Sequence, residues 1–424
     1  MTEEDQTVEE WPYRLLAFVG FFTIASLAWI TGRRTQLNWT TIGGSTALAW
    51  GLGIVSFWFP GSRWLWGAIN DVVVAMLAAS QKGTLFLLGP LALGPGQTLP
   101  DGTVSVGFIL AAQALPAVVF FAAIVAGLYY TGIMQAVVAL FARLFYRTMG
   151  LSGAESLSAA ANIFVGIEAG LIVRPYLAAM TRSELLMVLT CMMGTVASTV
   201  MGIYVSALQH VVPQIAGHLI SASVISIPCA VLISKLAFPE DGQPVTLGGV
   251  PSDDGLREPS DSSDGEKSPP PSNLIVALID GARQGMTMAV GIAALLIVFL
   301  GLEALLDLAL AQRPVLGGTP LSVTRILAWM TWPFAILLGL RPEEWQIGAD
   351  LLGLRFIETE VAAYFKLAAL QAASPPPLSP RSVTAMTYAL CGFVHVASTD
   401  IFVGGITALV PRRAKDVSLL GLHS

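Results

Sequence analysis

The chain has 424 residues, of which 54% are hydrophobic and only 12% are charged, and its mean hydropathy is +0.71. Because soluble domains carry about 25% charged residues, this composition excludes an ordinary soluble protein and predicts a polytopic membrane protein. The net charge of −6 says little about partners, and we expect no nucleic-acid ligand. The 3 cysteines lie in apolar runs without metal-ligand spacing, which indicates neither a disulfide framework nor a zinc site.

Apolar segments long enough to cross a bilayer recur along the chain. The acidic amino terminus has no basic region ahead of them, so we expect no cleavable signal peptide. From Ser62 to Ala79, apolar residues recur at helical spacing, which fits either a helix lying in the membrane interface or an ordinary connecting helix. The spans are predicted at 12–31, 40–59, 106–131, 184–209, 216–237, 286–310 and 382–410.

Basic residues near the ends of these spans indicate a common cytoplasmic side. All of them fall on that side if the amino terminus is outside and the re-entrant segments do not cross the membrane. They are Arg33, Arg34, Arg143, Arg147, Arg182, Lys235, Arg412, Arg413 and Lys415.

The stretch from Gly150 to Tyr204 is apolar enough for a bilayer but contains many polar residues. An ionisable side chain at membrane depth is costly, so Glu168 is a candidate functional residue. We predict helices over 155–165 and 169–179, folded back as a re-entrant hairpin with Glu168 at its tip. Non-helical backbone at that depth is tolerated only when it is buried in protein or lines a wet cavity, so the tip is a predicted ligand site.

Residues 239–272 differ in composition from everything around them. Pro, Gly, Ser and Asp dominate, and no apolar period remains. Such a segment cannot bury enough apolar surface to fold, so we predict a disordered cytoplasmic linker that acts as an inert tether rather than a regulatory element.

Two parts of the chain repeat the same features in the same order. Val196–Thr199 recurs as Val396–Thr399, and Arg182-Ser183 recurs as Arg381-Ser382. Upstream, each part has a polar-interrupted apolar region with glutamates: Glu168 in the first, Glu358 and Glu360 in the second.

An odd number of spans separates the two units, so the copies are predicted to be inverted in the membrane. Inverted repeats with broken helices that meet at mid-membrane are typical of secondary transporters. The Ser-Thr pairs are predicted to mark where each following helix loosens and offers oxygens to a cation or a polar solute. One such pair alone would favour simple bonds to carbonyls one turn back, whereas the matched pair favours a functional role.

Five stretches of sequence resemble the concentrative nucleoside transporter family. They are LPAVVFFAAIVAGLYYTGIMQ at 115–135, SGAESLSAAANIFVG at 152–166, RPYLAAMTRSEL at 174–185, TYALCGF at 387–393 and GGITAL at 404–409. The similarity covers about 62 to 422.

The resemblance implies a multi-pass protein of the plasma (inner) membrane that assembles as a homotrimer. It also implies import of nucleosides with sodium or protons, by a mobile transport domain that moves against a scaffold. The predicted fold is therefore an all-α polytopic membrane protein. It is an inverted repeat of re-entrant helical hairpins plus unwound transmembrane helices, with interfacial helices.

A sodium site follows from the same resemblance. In the family, the first hairpin tip and the first unwound helix share this site, and the matching positions here are Asn162, Val165, Thr199 and Val200. The side-chain oxygens of Asn162 and Thr199, together with main-chain carbonyls, would be hard ligands suited to a small cation. Thr199 stands where the family usually has Ser, and the hydroxyl is retained.

The resemblance also implies a nucleoside site. The family reads the base with the first hairpin tip and the ribose with the second hairpin and the last unwound helix. The candidates that match the family are Gly166, Glu168, Glu360, Phe393 and Ser398, and the candidates at altered positions are Thr359 and His395, where the family usually has Asn at both.

Departures at the first tip affect the base more than the ribose. The usual Gly-Gln-Thr-Glu is shortened to Gly166-Ile167-Glu168, which removes the amide that would read a base edge. A lost hydrogen bond to a buried polar group can change substrate preference by orders of magnitude. We therefore predict a nucleoside-like solute with a ribose and do not predict which base it carries.

Proton coupling is an alternative to sodium. His395 and the added acid Asp400 would titrate near neutrality if they were paired in a dry cavity. The alternative for His395 is a helix-packing residue that is bonded to a carbonyl. A second alternative is a degenerate relative that binds a nucleoside without transporting it. We find no nucleophile–base motif, so we expect no enzyme and no cofactor.

The sequence also predicts a domain organisation, in which the final helix of the family is missing because few residues follow Pro411. The parts are scaffold and interfacial helices (1–150), the first hairpin and unwound helix (151–210), a scaffold helix (211–238), the linker (239–272), an interfacial and scaffold helix (273–312), the second hairpin and unwound helix (313–411) and a short tail (412–424).

Overall fold

The computed structural model describes residues 3–34, 36–94, 96–99, 102–166, 169–249, 271–311 and 321–421. These residues form helices, with a single antiparallel β-bridge between Thr98 and Val104 and no strands within the ranges described. The all-α class predicted from the sequence is confirmed. By length and composition, 6 helical segments of the described chain could cross a membrane.

Three long helices open the chain. The third is longer than the predicted amphipathic segment Ser62–Ala79, and the stretch Gly61–Ala92 is apolar enough to span a bilayer. The helices are α1 (Glu3–Thr31), α2 (Trp39–Trp58) and α3 (Pro60–Leu88), and a 3₁₀ turn follows at Gly89–Ala92.

A close pair of helices, α5 and α13, forms one wall of the molecule. A Cβ atom at Gly285 would lie 2.7 Å from the Cα of Val119, so glycine is required for this approach. The short helix α4 (Leu110–Gln113) leads into α5 (Leu115–Tyr130), and the partner is the 37-residue α13 (Leu274–Leu310).

The first predicted hairpin is present, with shorter helices than expected. Ser152 and Glu155 form a capping box that starts its first arm. The second arm is interrupted before Arg174, because Pro175 lacks the N–H that a continuous helix would need. The elements are α6 (Ile133–Met149), α7 (Gly153–Ala161), α8 (Ala169–Ile172) and α9 (Arg174–Leu177).

The predicted span 184–209 is a broken helix. It loses helical hydrogen bonding at residues 195–197, immediately before Ser198-Thr199, where the sequence predicted loosening. The two halves are α10 (Arg182–Gly194) and α11 (Ser198–Leu208), and α12 (Ile215–Ala237) follows.

The second unit repeats this plan. A helix precedes the hairpin, and a helix that is broken at residues 390–395 follows it. The elements are α14 (Val323–Leu337), a 3₁₀ turn (Pro342–Glu344), α15 (Trp345–Ile357), α16 (Glu360–Gln371), α17 (Pro380–Ala389), α18 (Val396–Leu409), a second 3₁₀ turn (Pro411–Arg413) and α19 (Ala414–Gly421).

The bases of the two hairpins are built alike, which supports the repeat. In the first unit, the Ser152 hydroxyl donates to Glu184 Oε1 at 2.6 Å. In the second, the Ser382 hydroxyl donates to Glu344. Each pair joins the entry of a hairpin to the start of the following broken helix.

Lys235, near the end of α12, lies between two carboxylates at the base of the first hairpin. Its Nζ is 2.6 Å from Glu155 Oε1 and 3.3 Å from Glu240 Oε2, and it donates to Ser183 Oγ at 2.8 Å. Glu240 also accepts from the Thr181 hydroxyl at 2.9 Å. Buried charges need partners of this kind, and the cluster fixes α7, α10 and α12 to one another.

The expectation of an inert tether over 239–272 does not hold for residues 239–249. Thr246 accepts two main-chain N–H groups at the start of α7: its carbonyl accepts from Gly153 at 2.9 Å and its hydroxyl accepts from Ala154 at 3.0 Å. These donors have no partner inside the helix, and the linker provides one. The remainder of the linker up to residue 270 lies outside the described residues.

Four of the basic residues predicted to share one side of the membrane, Arg33, Arg182, Lys235 and Arg413, lie at one end of the molecule. The main-chain N–H of Arg33 donates to the carbonyl of Ala237 at 2.7 Å, and Ala237 follows Lys235 on α12. Arg182 pairs with Asp416, and Arg413 donates to the Met180 carbonyl at 2.7 Å. The end of α1, the bases of α10 and α12 and the carboxyl-terminal tail therefore lie together.

Candidate functional site

A cavity of about 250 Å³ lies where the two broken helices and the second hairpin meet α13. Small-molecule sites occupy roughly 300–1,000 Å³, so this volume suits a compact ligand. Most of its wall is apolar, with a few polar groups on one side. Its lining residues include Gly166, Val200, Tyr204, Thr359, Glu360, Phe393, His395 and Ser398.

Glu360 begins α16 at the tip of the second hairpin, and only 3% of it is exposed. Its Oε1 accepts a hydrogen bond from the Tyr204 hydroxyl at 2.7 Å. Its Oε2 lies 3.4 Å from His395 Nε2 and, within the described part of the chain, has no hydrogen-bond partner. A buried carboxylate oxygen in this state is open to a donor from a ligand.

His395 ends the break in the last unwound helix and caps α18. The ring atom Nδ1 accepts from the Ser398 main-chain N–H at 3.1 Å. The main-chain N–H of His395 donates to Ser398 Oγ at 3.2 Å. Because Nδ1 accepts, the proton of the neutral ring is on Nε2. His395 therefore directs an N–H donor toward the cavity, next to the carboxylate of Glu360.

Ser398 has a local role in this arrangement. Its hydroxyl donates within the break, to the Phe393 or the His395 carbonyl, with the latter at 2.8 Å. The hydroxyl thus satisfies carbonyls that the broken helix leaves free. The side chain of Asp400, considered above as a partner of His395, lies outside the described side chains.

Thr359 and Phe393 complete the second half of the cavity. Thr359 has a φ of 102°, a conformation that non-glycine residues rarely adopt. Its Oγ1 is buried and has no partner among the described residues. The ring of Phe393 packs 5.9 Å from that of Phe402, which gives an apolar face beside the polar groups.

Arg355 holds the second hairpin against the last break. Its guanidinium donates to the Ala389 carbonyl and, at 3.1 Å, to the Gly392 carbonyl. Gly392 itself has a φ of 125°, and a Cβ there would lie 2.8 Å from the Met193 carbonyl oxygen. The Arg355 side chain of the hairpin therefore fixes the unwound backbone. Gly392 lets this backbone pack against the Met193 carbonyl because it has no side chain.

The first hairpin tip reaches the same cavity. Gly166 lines it, and the main-chain N–H of Ser198 at the start of α11 donates to the Phe164 carbonyl at 2.9 Å. The tip and the first break are thus joined directly. Ile167 and Glu168, the predicted tip residues, lie outside the described residues.

The predicted sodium ligands include two buried oxygens that have no hydrogen-bond partner among the described residues. Asn162 donates through its amide to the Ser158 carbonyl at 2.9 Å, while its Oδ1 and Thr199 Oγ1 have no partner in the described ranges. Val165 and Val200 are buried beside them. Neutral oxygens of this kind suit a hard monovalent cation. No cluster of three or more His, Cys, Asp or Glu side chains suited to a metal occurs among the described residues.

Sequence reasoning assigned no role to Tyr204, Tyr364 or Arg355. The rings of Tyr204 and Tyr364 lie 4.9 Å apart, and the Tyr364 hydroxyl donates to the Thr387 carbonyl at 2.9 Å. The only available signal was the presence of polar aromatic and cationic side chains in apolar helices, since membrane helices seldom carry them without a reason.

An inverted repeat whose two broken helices and hairpin tips surround a central cavity is the architecture of a secondary transporter. Family models agree with this class along most of the chain. The model of the Na+ dependent nucleoside transporter N-terminus matches residues 19–91, a nucleoside recognition model matches 111–210, and the model of the Na+ dependent nucleoside transporter C-terminus matches 218–424. The chain belongs to the concentrative, sodium-dependent nucleoside transporter family.

Individual relatives agree with this assignment. The chain is 33% identical over 414 residues to an uncharacterized transporter of Haemophilus influenzae, covering 97% of this chain and 92% of that protein. It is 29% identical to the nucleoside permease NupC of Helicobacter pylori, covering 97% and 93%. It is 32% identical to sodium/nucleoside cotransporter 1 of Rattus norvegicus, and the match covers 97% of this chain but only 61% of that protein.

Solved structures match over nearly the whole chain. The structure of CNTnw in an inward-facing substrate-bound state superposes with a TM-score of 0.83 at 29% identity, covering 97% of this chain and 93% of that one. A CNTnw variant in an outward-facing state gives 0.81, covering 96% and 92%. The protein is thus a multi-pass plasma-membrane protein of a transporter family and not an enzyme, as the sequence predicts.

Proposed function

We propose that the chain imports nucleosides by symport with sodium. Two observations on neighbouring parts of the molecule support the proposal. At the junction of the first hairpin tip and the first broken helix, side-chain oxygens of Asn162 and Thr199 have no partner among the described residues. The cavity that Gly166 of this tip lines also contains the carboxylate of Glu360. The cation would bind at Asn162, Val165, Thr199 and Val200. Since Ser198 is bonded to the tip at Phe164, cation binding would stiffen the wall of the nucleoside cavity, and each ligand would favour the other.

The nucleoside would lie with its ribose toward Glu360 and His395 and its base toward the first hairpin tip. Glu360 Oε2 would accept from a ribose hydroxyl and His395 Nε2 would donate to one, while Phe393 would face the base. Thr359 and Ser398 would shape the ribose side, and Gly166 and Glu168 the base side. Protons remain the alternative coupling ion.

Transport would follow an elevator-like movement. The hairpins and broken helices would form the mobile domain, and the pair α5–α13 would form part of the scaffold of a homotrimer. Glycines on α13 support this division, because they bring α5 and α13 into backbone contact and so make a rigid wall beside the cavity.

The test is uptake of labelled uridine and adenosine into proteoliposomes, with the sodium and proton gradients varied independently. We expect uptake that requires the sodium gradient and is lost in Glu360→Gln, because an amide cannot act as the same charged acceptor. Uptake driven by the proton gradient alone would replace sodium with protons. Binding without uptake under either gradient would instead indicate a non-transporting nucleoside binder.

A further inference from the structure

We propose that Tyr204 is a positioning residue that fixes the Glu360 carboxylate so that a single oxygen, Oε2, receives the nucleoside. The inference rests on the proposed function and assigns a role within the same site. Tyr204 belongs to α11 in the first repeat, whereas Glu360 belongs to the second hairpin. The contact between them therefore joins the two repeats at the group that would hold the ribose.

The two carboxylate oxygens are in different situations. Oε1 accepts from the Tyr204 hydroxyl at 2.7 Å, whereas Oε2, on a residue that lines the cavity, has no hydrogen-bond partner in the part of the chain described. A hydrogen bond to a charged acceptor is stronger than one between neutral groups, so it favours one rotamer of Glu360.

The Tyr204 ring itself has little freedom to move. It is fully buried, and its neighbour Tyr364, 4.9 Å away between ring centres, is anchored through its hydroxyl to the Thr387 carbonyl. Rotation of the Tyr204 side chain would require this packed pair to separate. The hydroxyl is therefore a fixed donor, which is the condition for a positioning role.

One ligand hydroxyl can bridge the two remaining groups. His395 Nε2, which carries the ring hydrogen, lies 3.4 Å from Glu360 Oε2, and the two atoms are not hydrogen-bonded to each other. A hydroxyl placed there can accept from Nε2 and donate to Oε2 at once, since a hydroxyl has one hydrogen and two lone pairs. With Oε1 bonded to Tyr204 and the rotamer of Glu360 thereby fixed, Oε2 is the oxygen that receives a ribose hydroxyl.

The experiment compares Tyr204→Phe with Tyr364→Phe in proteoliposomes, using uridine, 2′-deoxyuridine and 3′-deoxyuridine. For uridine, Tyr204→Phe should raise KM roughly ten-fold, as expected for one hydrogen bond to a charged group, with the maximal rate little changed. Tyr364→Phe removes a buried hydroxyl from the same ring pair and should leave KM within about two-fold.

A ligand comparison separates positioning from simple damage to the fold. For the deoxynucleoside that lacks the hydroxyl held by Oε2, the effect of Tyr204→Phe on KM should shrink to about two-fold or less, because the group that Tyr204 positions has no partner left. An equal rise in KM for uridine and both deoxynucleosides would overturn the proposal. So would an unchanged KM for uridine.

Two further measurements test the positioning role of Tyr204. If Tyr204→Phe does not assemble, 3,5-difluorotyrosine at position 204 retains the ring and the donor. It should hold KM for uridine at or below the unmodified value, and a large increase would overturn the positioning role. Uptake by the unmodified protein with an unchanged KM in Tyr204→Phe removes this inference alone. Absence of both uptake and ligand-induced thermal stabilisation in the unmodified protein removes the proposed function as well.

Discussion

Two side-chain oxygens, Asn162 Oδ1 and Thr199 Oγ1, are buried within the described chain without a hydrogen-bond partner. Leaving such a group unsatisfied costs about 1–3 kcal/mol, so two of them at one junction mark a candidate place for a ligand. The bond from Ser198 to the Phe164 carbonyl brings their two chain segments together. A cation at this point would satisfy both oxygens and hold the first hairpin tip against α11.

Substitution of Thr199 should therefore change the response to sodium more than the response to nucleoside. Thr199→Val keeps the shape and removes one ligand, and we expect the sodium concentration for half-maximal uridine uptake to rise roughly ten-fold. At saturating sodium, the KM for uridine should recover. The measurement is uridine uptake over a series of sodium concentrations.

Thr190→Val is the matched control. The Thr190 hydroxyl donates to the Leu186 carbonyl at 2.8 Å on α10, away from the junction. Its loss should leave the sodium response unchanged. A normal sodium response in Thr199→Val would remove this hydroxyl from the cation site.

Residue types alone predict part of the site but not all of it. Glu360, His395 and Phe393 line one cavity, as the resemblance implied. The tautomer of His395 depends on the backbone at the break, because Ser398 N–H must point at Nδ1. Tyr204 lies 156 positions from Glu360 in the chain, and no local pattern indicates such a contact.

At the scale of the elements, residues 239–249 act as an external cap for the first hairpin. Composition predicted disorder, since few apolar groups are available there. Hydrogen-bonding groups decide the outcome instead: Thr246 caps α7, and Glu240 joins the Lys235 cluster. Periodicity methods count apolar residues and so miss segments that are held by polar contacts.

Thr246→Val should loosen the start of α7. It removes the acceptor for the Ala154 N–H and retains the side-chain volume, and the loss of a cap costs about 1 kcal/mol. We expect amide hydrogen exchange at 154–157 to accelerate roughly five-fold, with the rest of the hairpin little affected. Exchange would be followed by mass spectrometry on the protein in detergent.

Val245→Thr provides the comparison, because Val245 is adjacent and 72% exposed. It should leave exchange at the start of α7 as it is in the unmodified protein. Equal exchange in Thr246→Val and the unmodified protein would contradict a capping role for this segment.

At the scale of the whole molecule, the cavity lies between the second hairpin and α13. Val361 lines it from the hairpin, and Ile292 lines it from α13. If the hairpins move against α13 during transport, a covalent link between these residues should stop uptake. We expect oxidation of Ile292→Cys/Val361→Cys, in a chain whose natural cysteines are replaced by alanine, to abolish uridine uptake, and reduction to restore it.

A link inside the wall should have no such effect. Leu278 Cδ2 lies 3.0 Å from the position of a Cβ at Gly127, so Gly127→Cys/Leu278→Cys would join α5 to α13. Uptake should survive oxidation of this pair. If both links leave uptake intact, the proposed movement of the hairpins against α13 is wrong.

The duplicated plan was visible in sequence because its markers are short and local. Arg182-Ser183 and Arg381-Ser382 both begin the first half of a broken helix, as their matching positions predicted. The interruption between α8 and α9 was not predicted, because it depends on the position of Pro175. The full length of α13 was not predicted either, because it depends on packing against α5.

The orientation of the His395 ring limits which solutes can approach it. With Nδ1 occupied by the start of α18, the edge presented inward offers only hydrogen. An amide nitrogen or a protonated amine has no lone pair for the hydrogen on Nε2 and could bond only to the neighbouring carboxylate of Glu360. A sugar oxygen or a ring nitrogen has a lone pair and can accept this hydrogen bond. His395 therefore selects a solute by the presence of a hydrogen-bond acceptor at this position.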